Sequence, residues 1–222
     1  MLKDLIFLIK SDIFFYIKNP GILINSFIFV LTGNCLFVFA LGTDPILLTK
    51  LGPYIVLVTF FLSSILISQD IIIQDYINGT LELLLALKPS TYIISSKILT
   101  LSLLTFIPTF IATPIVAIIF SLEPMTIMIL MLAIVCSLLA LSTINILSSI
   151  LTIHTKGNYL INLLITMPFI IILVIFSTST IELFNYNHTL VPLSTPLICL
   201  LALFLILFPI TNFLGKIVLK EI

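Results

Sequence analysis

Six stretches of this chain are apolar around the whole helical wheel. They run Gly21–Leu41, Gly52 to about Ser68, Ile98–Ser121, Met125 to about Ile153, Tyr159 to about Ser179, and Val191 to about Leu214. A helix needs about 20 apolar residues to cross a hydrocarbon core of roughly 30 Å. In lipid every backbone group must be paired within the protein, so runs of this kind predict transmembrane helices. A membrane β-barrel would instead alternate apolar and polar residues in short segments, and these runs do not alternate.

The first 18 residues follow a different pattern. At 3.6 residues per turn, Leu2, Leu5, Ile6, Ile9, Ile13, Tyr16 and Ile17 share one face, while Lys3, Asp4, Lys10, Ser11 and Lys18 share the other. This predicts an amphipathic helix over 1–18 lying in the membrane interface, with Lys3, Lys10 and Lys18 at its surface. Asn19-Pro20-Gly21 ends it and turns the chain into the bilayer. A secretory signal peptide would place its basic residues before an unbroken apolar core, and charges spaced along 1–18 do not fit that form.

Composition points the same way. The chain is 61% hydrophobic and 8% charged over 222 residues. Soluble domains have about a quarter of their residues charged. A globule of this size cannot hide so much apolar surface, so lipid is the solvent. Formal net charge is zero and there is no arginine, which excludes a nucleic-acid partner. Cys35, Cys136 and Cys199 each stand alone in an apolar run and read as small packing residues. Ala112, Ala117 and Ala140 are candidates for close helix contacts, and Pro108, Pro114, Pro168 and Pro209 for kinks.

Charge sets orientation. With the N-terminus in the cytoplasm, Lys3, Lys10, Lys18, Lys88, Lys97, Lys156, Lys216 and Lys220 lie inside, and Lys50 lies outside. Both termini are then cytoplasmic, with outer loops near Gly42–Leu51, Leu122–Pro124 and Thr180–Leu190. The fold expected is an all-α integral membrane protein, with an interfacial helix over 1–18 and a six-helix domain over 19–222.

One polar segment interrupts the apolar pattern inside the cytoplasmic loop at about 70–97. It reads DYINGTLELLLALKPSTY, Asp75 to Tyr92. Asn78-Gly79 is a break, Thr80 is placed to act as an N-cap, and Pro89 is a stop. Between them Leu81 to Leu87 predict a short apolar helix, with Glu82 near the positive end of its dipole. Its leucines need a cover: lipid headgroups, the protein's own bundle, or a partner. There is no GxxxxGK[ST] phosphate loop and no nucleophile–base pair. No separate soluble domain can be placed, so the chain is expected to be non-catalytic, with any energy supplied by another chain.

The run Asp75, Gly79, Thr80, Leu81, Glu82, Leu84, Pro89, Lys97 resembles the central motif of the haem-exporter permease family of cytochrome c maturation, the B subunit of an ABC-type complex. The likeness extends over nearly the whole chain and includes Leu62-Ser63-Ser64 and IPTFIATP (Ile107–Pro114). Relatives tend to have an acid at Gln69, a base at Asp70 and a His-Trp pair near Leu101 and Ser102, where this chain differs.

The resemblance implies an ABC-type export permease fold in a bacterial inner membrane, or a mitochondrial one if the gene is organellar. It implies that the loop helix is a coupling helix on a cytoplasmic ABC-type ATPase subunit, touching it through Asp75, Gly79, Thr80, Leu81, Glu82, Leu84, Leu85 and Pro89. Asp75 and Glu82 would pair with basic groups there, and Leu81, Leu84 and Leu85 would pack into a groove. ATP and magnesium would sit on that partner. Haem would be handled by the complex, with other membrane subunits of the maturation machinery and a periplasmic haem chaperone, and not held by this chain. The task implied is haem transfer, or release of the loaded chaperone.

His154 and His188 lie at span ends. His188 reads as a solvated loop residue, with an iron ligand as its alternative. No metal ligand set is expected. Competing readings are a generic ABC-type export permease for a lipid, drug or polysaccharide, a non-energised membrane scaffold, and an ion-coupled carrier. The last would keep charges within its spans.

Overall fold

The computed structural model describes residues 2–42, 44–153, 159–187 and 194–220, without the side chains of residues 2–4, 69, 70, 159, 186, 187 and 194. His154, Lys156, Val191, His188 and the side chains of Leu2, Lys3, Asp4, Gln69 and Asp70 therefore lie outside the described residues. What is described is entirely helical. Helix α1 spans Leu2–Lys18, α2 Gly21–Leu41, α3 Pro45–Ile77, α4 Thr80–Leu87, α5 Ser90–Ile119, α6 Pro124–Leu151, α7 Tyr159–Asn187 and α8 Ser194–Val218. Six of them, α2, α3, α5, α6, α7 and α8, are long and apolar enough to cross a membrane.

Several helices outrun the apolar patterns that announced them. Helix α3 begins at Pro45, where the Asp44 carboxylate accepts a hydrogen bond from the Ile46 amide at 3.0 Å. An N-cap acid followed by proline at the first position is a strong start signal, and it makes most of the expected outer loop Gly42–Leu51 helical. The same helix runs on to Ile77 rather than ending near Ser68, and α5 starts at Ser90 rather than Ile98. Helix α7 continues through Thr180 to Asn187, in place of the outer loop expected there. Thr180 is fully buried and its hydroxyl donates to the Ser177 carbonyl at 2.6 Å. A hydroxyl bonded back to its own helix lets polar sequence continue a span.

Helix α3, of 33 residues, is about 50 Å long at 1.5 Å per residue, well beyond the hydrocarbon thickness. Its surplus carries the α3–α4–α5 corner past the apolar zone. Helices α3 and α6 are the most buried, whereas α2, α7 and α8 keep most of their surface outward. Helix α6 packs against α3, α5, α7 and α8.

Between the spans the contacts are apolar, small and polar in turn. Ala112, Ala117 and Ala140 are all buried. Pro53, Pro108, Pro114, Pro168 and Pro209 sit inside unbroken helices. Asn145 of α6 donates to Ser64 of α3 at 3.0 Å, and the Ser149 hydroxyl reaches the Ser68 carbonyl at 3.3 Å. Ser148 donates to both oxygens of Asn162 on α7. Asn34 of α2 donates to Thr59 of α3 at 2.9 Å. Each bond joins two helices where no water can compete, a kind of contact worth about 0.6–2 kcal/mol.

Two apolar clusters divide the bundle lengthwise. One fills the half containing Phe60, Phe61, Phe120 and Leu130. The other gathers Tyr16 of α1, Ile71 of α3, Leu81 of α4, Ile94 of α5, Ile150 of α6 and Leu219, just beyond α8. That second end also carries Lys10, Lys18, Lys88, Lys97, Lys216 and Lys220, while Lys50 starts α3 at the opposite end.

Gly52 marks a close approach at that opposite end. A Cβ there would lie 2.8–2.9 Å from Phe120, which is itself fully buried. Overpacking of this kind costs about 1–3 kcal/mol. Gly52→Ala is therefore expected to lower the thermal midpoint of the purified protein in detergent by several degrees. Gly215→Ala meets the ends of two flexible side chains, Ile94 at 2.6 Å and Ile150 at 3.2 Å, rather than a ring, and is expected to cost less in the same assay.

Candidate functional site

The polar segment folds into two tight corners flanking α4. Asn78 closes α3 with its amide on the Gln74 carbonyl at 3.0 Å, and the Gly79 amide follows onto Tyr76 at 3.1 Å. Gly79 adopts φ +70°, a left-handed conformation that glycine takes without strain. Gly79, not Thr80, is the N-cap of α4. The Thr80 hydroxyl points back instead and donates to the main-chain oxygen and Oδ1 of Asp75, both at 3.0 Å. The expected cap thus becomes a brace across the α3–α4 corner, because the sharp turn at Gly79 folds Thr80 over the last turn of α3. At the far end the Lys88 amide donates to Leu84 at 2.9 Å, and Pro89 then caps α5.

Helix α4 shows its two sides unequally. Leu81 is buried, and Leu84 and Leu85 are half-buried against the cluster that holds Ile72, Ile93 and Ile94. Residues 81, 84 and 85 share one face, and that face packs on the protein's own bundle, with Leu81 buried there. The outward side carries Glu82, Leu83 and Leu87, the two leucines 67% and 77% exposed. Pro89 is exposed at the second corner.

Asp75 is drawn inward. Its Oδ2 lies 2.6 Å from the Lys97 ammonium, and Asp12 Oδ2 lies 2.8 Å from the same nitrogen. Lys97 is almost fully buried, while the two carboxylates keep about a fifth to a quarter of their side-chain surface. One ammonium therefore ties α1, the end of α3 and the start of α5. Burial pushes the Asp12 carboxyl above its ordinary range, and the adjacent Lys97 ammonium pulls it back.

Asp12 and the buried state of Lys97 are what sequence reasoning missed. The signal was present: Asp12 falls on the α1 stripe of Leu5, Ile9, Ile13 and Tyr16, a charge on the face that packs inward. Such a charge calls for a buried partner. The stripe expected to be apolar is only partly inward, since Ile6 and Ile17 are exposed at 60% and 58%. Of the expected surface lysines, Lys10 and Lys18 are exposed, and Lys18 lies 4.5 Å over the Phe14 ring.

Among the described residues no group of three His, Cys, Asp or Glu side chains could hold a metal ion. Asp12 and Asp75 meet across an ammonium, which occupies the place between them. The arrangement is an ion cluster that ties three helices beneath α4, whose outward side carries Glu82, Leu83 and Leu87.

Six long apolar helices, and a short helix held at one end by an ion cluster, define an all-helical, multi-pass membrane protein. The chain belongs to the CcmB family: it matches the family model described as CcmB protein over residues 3–219. Among its relatives is Heme exporter protein B of Haemophilus influenzae (strain ATCC 51907 / DSM 11121 / KW20 / Rd), 31% identical over 81% of this chain and 82% of the relative. Heme exporter protein B of Bradyrhizobium diazoefficiens (strain JCM 10833 / BCRC 13528 / IAM 13628 / NBRC 14792 / USDA 110) is 30% identical over 52% of this chain and 53% of its own length. The family expected from the DYINGTLELLLALKP segment is thus the family found.

The ion cluster yields a stability prediction. Lys97→Met leaves two mostly buried carboxylates facing each other without their shared cation. Removing one member of a buried ion set costs about 3–5 kcal/mol. The yield of folded protein in membranes, and its thermal midpoint, are expected to fall sharply. The triple change Asp12→Asn, Asp75→Asn, Lys97→Met removes all three charges and is expected to recover most of that loss.

Proposed function

We propose that this chain is the membrane permease subunit of an ABC-type complex that serves haem delivery for c-type cytochromes. It acts without catalysis of its own. In this reading the lysine-rich end is cytoplasmic, both termini lie there, and α1 rests in the interface of a bacterial inner membrane. ATP and magnesium are bound by a cytoplasmic ATPase partner. Other membrane subunits and a periplasmic haem chaperone complete the machinery, and the work done is haem transfer or release of the loaded chaperone.

The observation that carries the reading is family membership, together with the name heme exporter protein given to both relatives. Helix α4 fits the coupling role because it is short, braced at both corners, and seated on the bundle by Leu81. Its outward face then meets the ATPase through Glu82, Leu83 and Leu87. This differs from the face expected from sequence, since Leu81, Leu84 and Leu85 serve as the seat. Asp75 works from beneath, through Lys97.

Deletion of the gene in its own organism tests the pathway. Covalently bound haem survives denaturation, so a haem-stained gel is expected to lose its c-type cytochrome bands and regain them with the restored gene. Unchanged bands would leave the generic export permease as the better reading. Docking is tested by Leu83→Asp combined with Leu87→Asp. Charges placed in an apolar contact are expected to reduce ATPase retained by the purified chain at least tenfold, equivalent to about 1.4 kcal/mol or more. Glu82→Lys is expected to act in the same direction, with a smaller effect that weakens as salt rises.

A further inference from the structure

Helix α1 packs along α5, and α4 along α3 and α5. Between α1 and α4 lies a cleft of about 400 Å³. Its walls are two helical stripes that face each other, with Phe7 and Phe15 on α1 and Leu83 and Leu87 on α4, and its floor is the Asp12–Lys97–Asp75 cluster. All four wall side chains are also substantially exposed, from 48% for Phe15 to 77% for Leu87.

The charge on the floor does not balance. Two carboxylates share one ammonium, which leaves one formal negative charge in the cluster, at the bottom of a cleft with apolar walls and with Ser11, Gln74, Asn78 and Thr80 around the charge. An anionic occupant, such as a phosphate or a propionate, is disfavoured there. A cation with an apolar stem is favoured, and the aromatic rings in the wall add to the attraction. A guanidinium suits this best, since it is planar, always charged, and stacks on ring faces. The chain contains no arginine, and the Lys18 ammonium already lies over the Phe14 ring. A guanidinium occupant therefore comes from another chain.

We infer that the cleft between α1 and α4 is a socket for an arginine side chain of the ATPase partner, which enters between Phe7, Phe15 and Leu87 and reads the carboxylates of Asp12 and Asp75. This rests on the docking proposed above and extends it: α1 becomes half of the interface, and a partner seated there touches the ion cluster that links α1, α3 and α5.

The test uses the full chain co-purified from membranes with its cognate ABC-type ATPase. Benzoylphenylalanine, a photoreactive analogue, is placed at position 7 or 15 and irradiated in the assembled complex. The expected product is a crosslink to the ATPase, within a segment that carries an arginine. Replacement of that arginine by alanine, and separately Phe7→Ala with Phe15→Ala, is expected to reduce ATPase retention at least tenfold. The phenylalanines are exposed, so these changes are expected to leave the chain's yield and thermal midpoint unchanged.

Crosslinks to lipid alone, or to an ATPase segment without an arginine, would overturn the socket. So would full retention by the Phe7→Ala, Phe15→Ala variant. If that variant retains the ATPase while Leu83→Asp with Leu87→Asp loses it, docking by α4 stands and the socket falls. If the unaltered chain retains no ATPase, the docking reading itself fails.

Discussion

A peptide group carried into hydrocarbon finds no water to bond, and each one left unpaired there costs several kcal/mol. Nearly every feature of this chain answers to that constraint. The six long helices pair their own backbones except at the carbonyls one turn before Pro53, Pro108, Pro114, Pro168 and Pro209, which have no N–H to receive. Serines and threonines within them turn their hydroxyls back onto carbonyls three or four residues earlier, as Thr105, Thr109 and Thr113 do along α5. The few side-chain amides that face inward join one helix to the next, as Asn145 does with Ser64. Apolar burial gives little preference between helices when lipid is as apolar as leucine, so these polar contacts and the close approach at Gly52 help choose which helices are neighbours.

Where the chain leaves the hydrocarbon the constraint relaxes, and irregular backbone becomes possible. The α3–α4–α5 corner lies there. Its two breaks expose few backbone groups, because Gly79, Thr80 and Lys88 each close a hydrogen bond across a turn. The Thr80–Asp75–Lys97–Asp12 chain then joins the corner to α1 and α5. In the proposed role this is mechanically useful. A push on α4 reaches two other helices through charge-assisted bonds, which are short and directional. An apolar seat alone would let the helix slide.

The same corner shows where reading residues one segment at a time runs out. The existence of α4, its break at Asn78-Gly79 and its stop at Pro89 followed from turn and cap chemistry. Which side of α4 faces outward did not follow, because a run of five leucines and one alanine around Glu82 has no polar stripe to mark the solvent side. Thr80 looked like a cap because its type favours that position, and the left-handed turn at Gly79 gave the position to the glycine. Asp75 looked like a surface acid until Lys97, 22 residues further along, was found beneath it. The span limits drifted for a related reason. Asp44-Pro45 and the hydroxyl-rich end of α7 are polar in composition yet helical, since capping and back-bonding satisfy them locally.

By itself the sequence determined that this is a helical membrane protein with six spans, a separate N-terminal helix and a short helix between the second and third spans. It also held the family likeness. Those properties depend on hydropathy, period and turn residues, all set within a window of about one helix. Tertiary structure alone decided which face of α4 is the seat, that Asp12 and Lys97 meet across 85 residues, and that α1 and α4 enclose a charged cleft. Each of these is a contact between distant segments. Such a contact forms only when packing in three dimensions brings a buried charge to the one partner able to offset its desolvation.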